Sequence, residues 1–273
     1  MKLKSKKLWW ISFLVLIVLG IIVFFVLSLP TFGGNISGER LKRVQENQQY
    51  KDGRFTNVEP QSPFNFSEIG SYITKMFFYD EIRIPPSKIP VISVLNSSLK
   101  ILNSSTLRAF WIGHASVYVE IDGIRILIDP VFSDYASPFD FGPKRFHPPP
   151  ITLQDLPKID AVVISHDHYD HLDMETITHL SKNETMFFVP LGIGAHLEKW
   201  GVSKKQIHEL EWWQDQMVGK IRIICTPNRH YSGRGLTDYK ATLWSSWTVI
   251  GPKHNFYYSG DTGYSKHFKE IGE

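Results

Sequence analysis

The chain has 273 residues, of which 42% are hydrophobic and 14% aromatic, which is ample for one sizeable core and thin for two. Its net charge of +3 depends on four lysines within the first seven residues, so the remainder is close to neutral and no basic face indicates nucleic-acid binding. The single cysteine, Cys225, excludes an internal disulfide and a zinc site built on thiolates.

The first predicted element is an apolar helix directly after these lysines. Residues 8–29 carry no charge and, at about 1.5 Å per residue, extend far enough to cross a hydrocarbon core of about 30 Å. Trp9 and Trp10 stand where an interfacial aromatic belt would lie. A cleavable signal peptide is the alternative, but its apolar region would be shorter and "LSLPTFGG" is a poor cleavage site. We therefore expect a basic cytoplasmic tail over 1–7, a single-pass anchor over 8–29, and the rest of the chain on the periplasmic or extracellular side.

The chain changes character twice after the anchor. Residues 30–60 are polar, turn-rich and aperiodic, which predicts a linker, and the domain is expected over 61–273. Within the domain, "DG" at 122–123 is a hairpin signal, "AVVIS" predicts a buried strand, and "METITHL" predicts a helix capped by Asp173. A further helix is expected near 193–200. Strands dominate with helices interspersed, so the predicted class is α/β or α+β with layered sheets.

The stretch "VVISHDHYDHLD", residues 162–173, follows the buried strand with three histidines and three aspartates. On extended backbone, side chains two residues apart share one side, so His166 and His168 can bind one ion together. If the chain then curls, Asp170 and His171 turn toward the same space and can bind a second ion. Imidazole and carboxylate without sulfur suit zinc, and also manganese, iron or nickel. The alternatives are a catalytic acid/base pair and an ordinary solvated loop.

Further candidate ligands also follow predicted strands. His230 comes after "IRIICTP" and Asp261 after "NFYYSGD", and a carboxylate that reaches both ions is the natural role for Asp261. Asp129, at the end of "RILID", either orients a metal-binding histidine or caps its strand. His114 and His147 are candidates for the pocket wall or are structural histidines.

These motifs carry a family resemblance. From Leu107 onward, "GHASVYVEIDG", "LIDPVFSDYASP", "LPKIDAVVISHDHYDHLD", "LWSSWTVIGP" and "FYYSGDTGY" resemble the metallo-β-lactamase fold superfamily and, more narrowly, the N-acyl-phosphatidylethanolamine-hydrolysing phospholipase D family. The resemblance implies an αββα sandwich with a dinuclear zinc site at one sheet edge.

The resemblance also implies a function for each site residue. One zinc would bind His166, His168 and His230, and the other would bind Asp170 and His171. Asp261 would bridge the two ions. Asp170 and His171, with a hydroxide held between the ions, are the implied catalytic residues, and Tyr169 matches a position that contacts phospholipid.

The implied reaction is hydrolysis of a phospholipid phosphodiester to phosphatidic acid and an N-acylethanolamine. A metallohydrolase of a small soluble substrate, such as a sugar-phosphate lactone, and an inactive metal-binding protein remain alternatives. The family's last zinc-binding histidine lies well downstream, whereas this chain ends at Glu273. The second zinc is therefore expected to lack one ligand, and the second half of the sandwich is expected to be incomplete. The sequence does not indicate an oligomeric state.

Overall fold

The computed structural model describes residues 2–59, 70–71, 74, 84–93, 99 and 105–273. The predicted domain start at residue 61 and most of the apolar runs between 64 and 103 lie outside the described residues. Helix α1 spans Lys2–Leu27, and its part from Trp9 to Leu27 is long and apolar enough to cross a membrane, with none of it buried in the protein. The prediction of an apolar helix is confirmed, and its length and composition fit a membrane anchor or a signal sequence.

The structure differs from the sequence prediction over residues 30–60, where an unstructured linker was expected. The segment contains a 3-10 turn (Pro30–Phe32), helix α2 (Gly38–Glu46), and the paired strands β1 (Tyr50–Lys51) and β2 (Arg54–Phe55). Val44 and Phe55 are buried in a cluster with residues of the main domain. Arg40 forms ion pairs with Glu198 and Glu209, both at 2.6 Å. Because the segment docks through few apolar residues and several polar ones, its composition resembles that of a linker.

The larger sheet has six strands in the order β3-β4-β5-β6-β7-β8. Their bounds are β3 Leu107–Gly113, β4 Ser116–Ile121, β5 Ile124–Ile128, β6 Ala161–Val163, β7 Met186–Pro190 and β8 Ile207–Leu210. The strands β3 to β5 pair antiparallel, and β5 to β8 pair parallel. Asp122 and Gly123 both have positive φ between β4 and β5, as the hairpin prediction requires.

The smaller sheet is antiparallel, with four strands in the order β12-β11-β10-β9. Their bounds are β9 Asp215–Val218, β10 Ile221–Thr226, β11 Ser246–Ile250 and β12 Asn255–Tyr258. The buried side chains between the sheets form one cluster, with Ile126 and Val163 from the larger sheet against Ile223 and Trp247 from the smaller. In the larger sheet, β6 and β7 are buried on both of their faces, which explains why they read as apolar runs.

Helices cover the outer face of the larger sheet. They are α3 (Met174–Leu180) and α4 (Gly194–Lys199), and α5 (His267–Gly272) lies beside β12. Ile177 and Leu197 pack in a second cluster with Leu127 and Val162, which point away from the smaller sheet. The Asp173 side chain accepts a hydrogen bond from the Glu175 amide, which confirms the predicted helix cap. The predicted mixed class with layered sheets is likewise confirmed.

Candidate metal centre

The predicted site residues gather at one edge of the two sheets, each in a loop that follows a strand. Residues 166–171 follow β6, whose parallel neighbour β5 ends just before Asp129. His230 follows β10 and Asp261 follows β12, and both of these strands are antiparallel to β11, so they end at the same edge. The topology therefore brings together side chains from distant parts of the chain.

Three histidines form the first group, which we call the imidazole pocket: His166, His168 and His230. One ring nitrogen from each lies within 4.8 Å of the others. The distance from His168 Nδ1 is 2.9 Å to His166 Nε2 and 3.4 Å to His230 Nε2. Nitrogens converging at such distances match the arrangement in which several imidazoles bind one cation.

Burial favours the neutral form of the three histidines of the imidazole pocket. It lowers the pKa of His166 well below its ordinary value, and the neighbouring histidines lower it further. Burial together with His168 lowers the pKa of His230 to about 4, and burial also lowers that of His168. Neutral rings keep a lone pair available for a metal ion.

The second group, which we call the carboxylate pocket, comprises Asp170, His171 and His114. His114 Nε2 lies 2.9 Å from Asp170 Oδ2, and His171 Nε2 lies 3.8 Å from the same oxygen. Asp261 stands between the two pockets, with its Oδ2 at 3.3 Å from His171 Nε2 and 4.0 Å from His230 Nε2. The carboxylate expected to bridge two ions is thus within reach of both groups.

His171 provides a test of whether the pocket suits a cation. Its Nε2 is buried and has no hydrogen-bond partner among the described residues, although it faces the pocket. Burial alone would lower the pKa of His171, but the Asp129 and Asp261 carboxylates raise it to about 10. Burial would raise the pKa of Asp170, yet the hydrogen bond from His114 and the charge of His171 hold it below its ordinary value. Carboxylates that stabilise a proton on this ring would also stabilise a metal ion there. The residues of the carboxylate pocket therefore fit a metal cation.

A single buried carboxylate orients a histidine of each pocket. Asp129 Oδ2 accepts hydrogen bonds from His171 Nδ1 at 2.7 Å, Tyr258 Oη at 2.7 Å and Ser165 Oγ at 2.5 Å. Because Ser165 Oγ donates its proton to Asp129, it accepts from His166 Nδ1 at 2.9 Å. The Nδ1 atoms of both histidines are thereby engaged in hydrogen bonds and their Nε2 atoms face the pockets, which is the usual effect of an outer carboxylate at a metal site.

Tyr169, predicted to contact substrate, has a second function in the fold. Its hydroxyl donates to the Arg234 carbonyl at 3.0 Å, and the Arg234 guanidinium lies 4.0 Å from the centre of its ring. Burial raises the pKa of Tyr169 to about 12. The ring lines a cavity of about 450 Å³. Contact with a phospholipid stays a prediction.

His114 is the site residue that sequence reasoning placed only among the alternatives. It occupies the left-handed region, with φ of 48°, directly after Gly113 at 138°, and this turn between β3 and β4 presents its ring to Asp170. The sequence feature that could have indicated His114 as a site residue is the "GH" pair at the end of a predicted strand. It could not be interpreted without knowing that β3 ends beside the loop after β6.

An apolar groove of about 420 Å³ adjoins the carboxylate pocket. Trp111, Val131 and Phe146 contribute to its walls, and both His114 and Asp170 line it. Trp111 and Phe146 are exposed to solvent by more than half, so the groove is open.

Two layered sheets with imidazole and carboxylate side chains gathered at one edge define a domain of the β-lactamase fold with a candidate metal centre. Residues 124–273 match the β-lactamase superfamily domain, and the chain belongs to that family. The resemblance and the fold class predicted from the sequence are confirmed.

Individual relatives extend the match. An uncharacterised protein of Mycobacterium tuberculosis is 44% identical over 232 residues, which cover 84% of this chain and 61% of that protein. The N-acyl-phosphatidylethanolamine-hydrolysing phospholipase D 1 of Caenorhabditis elegans is 41% identical over 199 residues, covering 66% and 56%. A metallo hydrolase of the archaeon Ignicoccus hospitalis is 24% identical with a TM-score of 0.47, covering 61% and 65%. The chain thus spans less than two thirds of each of these proteins.

Proposed function

We propose that this chain is the metal-binding part of a membrane-tethered phosphodiesterase that hydrolyses phospholipids of the N-acyl-phosphatidylethanolamine type to phosphatidic acid and N-acylethanolamine. The observation that carries the proposal is the convergence of six predicted ligands into two adjacent pockets beside an open apolar groove. The 41% identity to a nematode phospholipase D of that specificity supports the substrate class.

The proposed metal is zinc, with an ion in each pocket. His166, His168 and His230 would hold the first ion, and Asp170 and His171 the second, with Asp261 shared between them. A pair of divalent cations lowers the pKa of bound water and offsets charge that develops on a phosphoryl oxygen. The donor set of ring nitrogens and carboxylate oxygens suits zinc, although manganese or iron would accept the same ligands.

The chain's own residues would position the reacting groups. Asp129 holds the rings of His166 and His171 in orientation, and His114 holds the Asp170 carboxylate, so the ligands need little rearrangement. The groove that begins at Asp170 would accept an acyl chain and exclude water from it along Trp111 and Phe146. A phosphodiester seated at the inner end would then lie against both pockets.

The groove favours a lipid over a small polar substrate. A sugar-phosphate lactone would gain little from apolar walls, whereas each buried methylene group of an acyl chain contributes about 0.8 kcal/mol. Helix α1 agrees with a lipid substrate, since an anchor would keep the domain at the bilayer surface. The proposed topology places the N-terminus in the cytoplasm and the domain on the periplasmic or extracellular side.

Elemental analysis and hydrolysis assays on the isolated protein test this function. We expect two zinc ions per chain, turnover of N-acyl-phosphatidylethanolamine in vesicles, and loss of turnover on treatment with a chelator. The His168→Ala variant should lose at least one metal ion and its turnover while keeping the circular dichroism spectrum of the parent. His179→Ala, a half-buried histidine in α3 outside both pockets, serves as the matched control. Absence of bound metal, or full activity of His168→Ala, would contradict the proposal, and turnover of a lactone alone would favour the soluble substrate.

A further inference from the structure

The chain leaves α1 through residues 30–34, which we call the exit segment, and this segment is fixed to the domain beside the metal centre. The Pro30 carbonyl accepts a hydrogen bond from Trp200 Nε1 at 2.7 Å. The Thr31 carbonyl accepts from Arg234 Nε at 3.2 Å and from Nη2 at 3.0 Å. The exit segment therefore has a defined position on the domain.

The other end of the Arg234 guanidinium binds the loop that carries the metal-ligand candidates. We call residues 166–172 the ligand loop. Arg234 Nη1 donates to the Asp167 carbonyl at 2.7 Å and to the Leu172 carbonyl at 2.9 Å. Asp167 and Leu172 lie near the two ends of this loop, so one buried cation fixes both of its ends.

A second route joins the same two segments. The Gly34 amide donates to His196 Nδ1 at 3.0 Å. With Nδ1 as acceptor, the ring carries its proton on Nε2, which faces Asp167 Oδ2 at 3.3 Å. The Asp167 carboxylate also accepts from the Gly233 amide and from Thr242 Oγ1, both at 2.7 Å. Asp167, the residue between the first two histidines, is therefore held through its carbonyl and its carboxylate.

Displacing the exit segment would cost free energy, because the Arg234 guanidinium is buried and depends on its carbonyls. The Arg234 side chain donates to main-chain carbonyls, and the exit segment supplies the acceptor for two of its nitrogens. A displaced exit segment would leave a buried charged group without these hydrogen bonds, which is costly. Close approach also depends on glycine, because a Cβ added at Gly34 would overlap the Ala195 carbonyl.

We propose that Arg234 is a positioning residue that couples the exit segment to the ligand loop, so that the metal affinity of the site depends on how the exit segment is seated. The inference rests on the proposed metal binding. It extends the site beyond its ligands, because it makes the first residues after α1 part of the support of the metal centre.

Cobalt(II) titration of the full chain tests the coupling, with affinity measured by chelator competition and ligand geometry by the visible absorption band. The three test variants are Gly34→Ala, Arg234→Lys and the double variant. Each single variant should weaken cobalt binding by about tenfold and shift the band, and the double variant should lose less than the product of the two losses. Gly20→Ala, inside α1 with open space around it, is the control and should match the parent.

The possible results of the titration separate a failure of metal binding from a failure of the coupling. If the parent binds no cobalt, both the proposed function and the coupling are wrong. If the parent binds cobalt but Gly34→Ala changes only the melting temperature, the coupling alone is wrong. The same conclusion follows if the affinity loss of the double variant equals the product of the losses of the two single variants. Should Gly34→Ala fail to fold, Trp200→Phe replaces it. This variant removes the hydrogen bond to Pro30 and shortens a buried ring that also faces Arg234 and His196. It should weaken cobalt binding at least about twofold in a folded protein, whereas unchanged binding would overturn the coupling.

Discussion

The imidazole pocket and the carboxylate pocket lie at the same sheet edge, yet their electrostatics are opposite. The first gathers three ring nitrogens in a buried space, and burial keeps the rings neutral. In the second, Asp129 and Asp261 raise the pKa of His171 to about 10 against the effect of burial, so that without a metal ion its ring carries a second proton and is positively charged. The difference shows that the placement of a few carboxylates decides whether a histidine is ready for a metal ion or must first lose a proton.

The largest effect is expected from Asp129, whose carboxylate supports a histidine of each pocket. In Asp129→Asn, the amide nitrogen would face donors from His171, Tyr258 or Ser165, which leaves buried hydrogen bonds unmade. We expect the affinity of both pockets for zinc to fall by about 10- to 100-fold. We also expect the free energy of unfolding to fall by about 1–3 kcal/mol. Chelator competition and urea unfolding measure the two effects.

Asp122→Asn is the matched control for that variant. Asp122 is as buried as Asp129 but precedes β5 instead of following it, and it accepts hydrogen bonds from the Lys253 and His254 amides and from the His254 ring. This variant should lose stability and keep its zinc affinity. If Asp129→Asn weakened only one pocket, the carboxylate would not be the shared support that the contacts indicate.

The two pockets should also differ in how metal binding depends on pH. The pKa of His171 is raised in the metal-free protein, so binding in the carboxylate pocket must displace a proton at any pH below about 10. Its affinity should therefore rise by about tenfold per pH unit between roughly pH 6 and 8. The imidazole pocket, where burial and His168 lower the pKa of His230 to about 4, should change little over that range. Calorimetric zinc titrations in two buffers of different ionisation enthalpy count the protons released, and equal counts for the two sites would contradict the assignment.

The sequence predicted those parts of the molecule that local pattern determines. The spacing of His166, His168, Asp170 and His171 and their place after a buried strand predicted that these side chains lie close together. The structure brings them to one sheet edge, because a strand end fixes the direction of the side chains that follow it. The position of His114 depends on the turn after β3 lying beside the loop after β6, although two strands separate β3 from β6 in the sheet, and no local pattern encodes that proximity.

The segment 30–60 shows the opposite failure, since its polar composition concealed a docked structure. Its attachment depends on ion pairs and main-chain hydrogen bonds, such as those of Arg40 and Thr31, which are individually indistinguishable from the surface chemistry of a linker. Only two fully buried apolar residues, Val44 and Phe55, come from its described helix and strands. Periodicity cannot detect an element with so small an apolar face.

The smallest effect is expected at His114, where the two pockets should respond differently. His114→Ala removes one partly exposed hydrogen bond to Asp170 and leaves the imidazole pocket untouched. A loss of about 0.5–1.5 kcal/mol corresponds to a roughly 2- to 10-fold weaker carboxylate pocket. His147→Ala is the control, because that ring packs on Trp111 and its Nδ1 pairs with the Pro148 carbonyl instead of with Asp170. Stepwise cobalt titration should then show a parent-like first affinity and a weakened second one. A larger loss, of 100-fold or more, would mean that His114 is itself a ligand and that the carboxylate pocket holds its ion through two histidines.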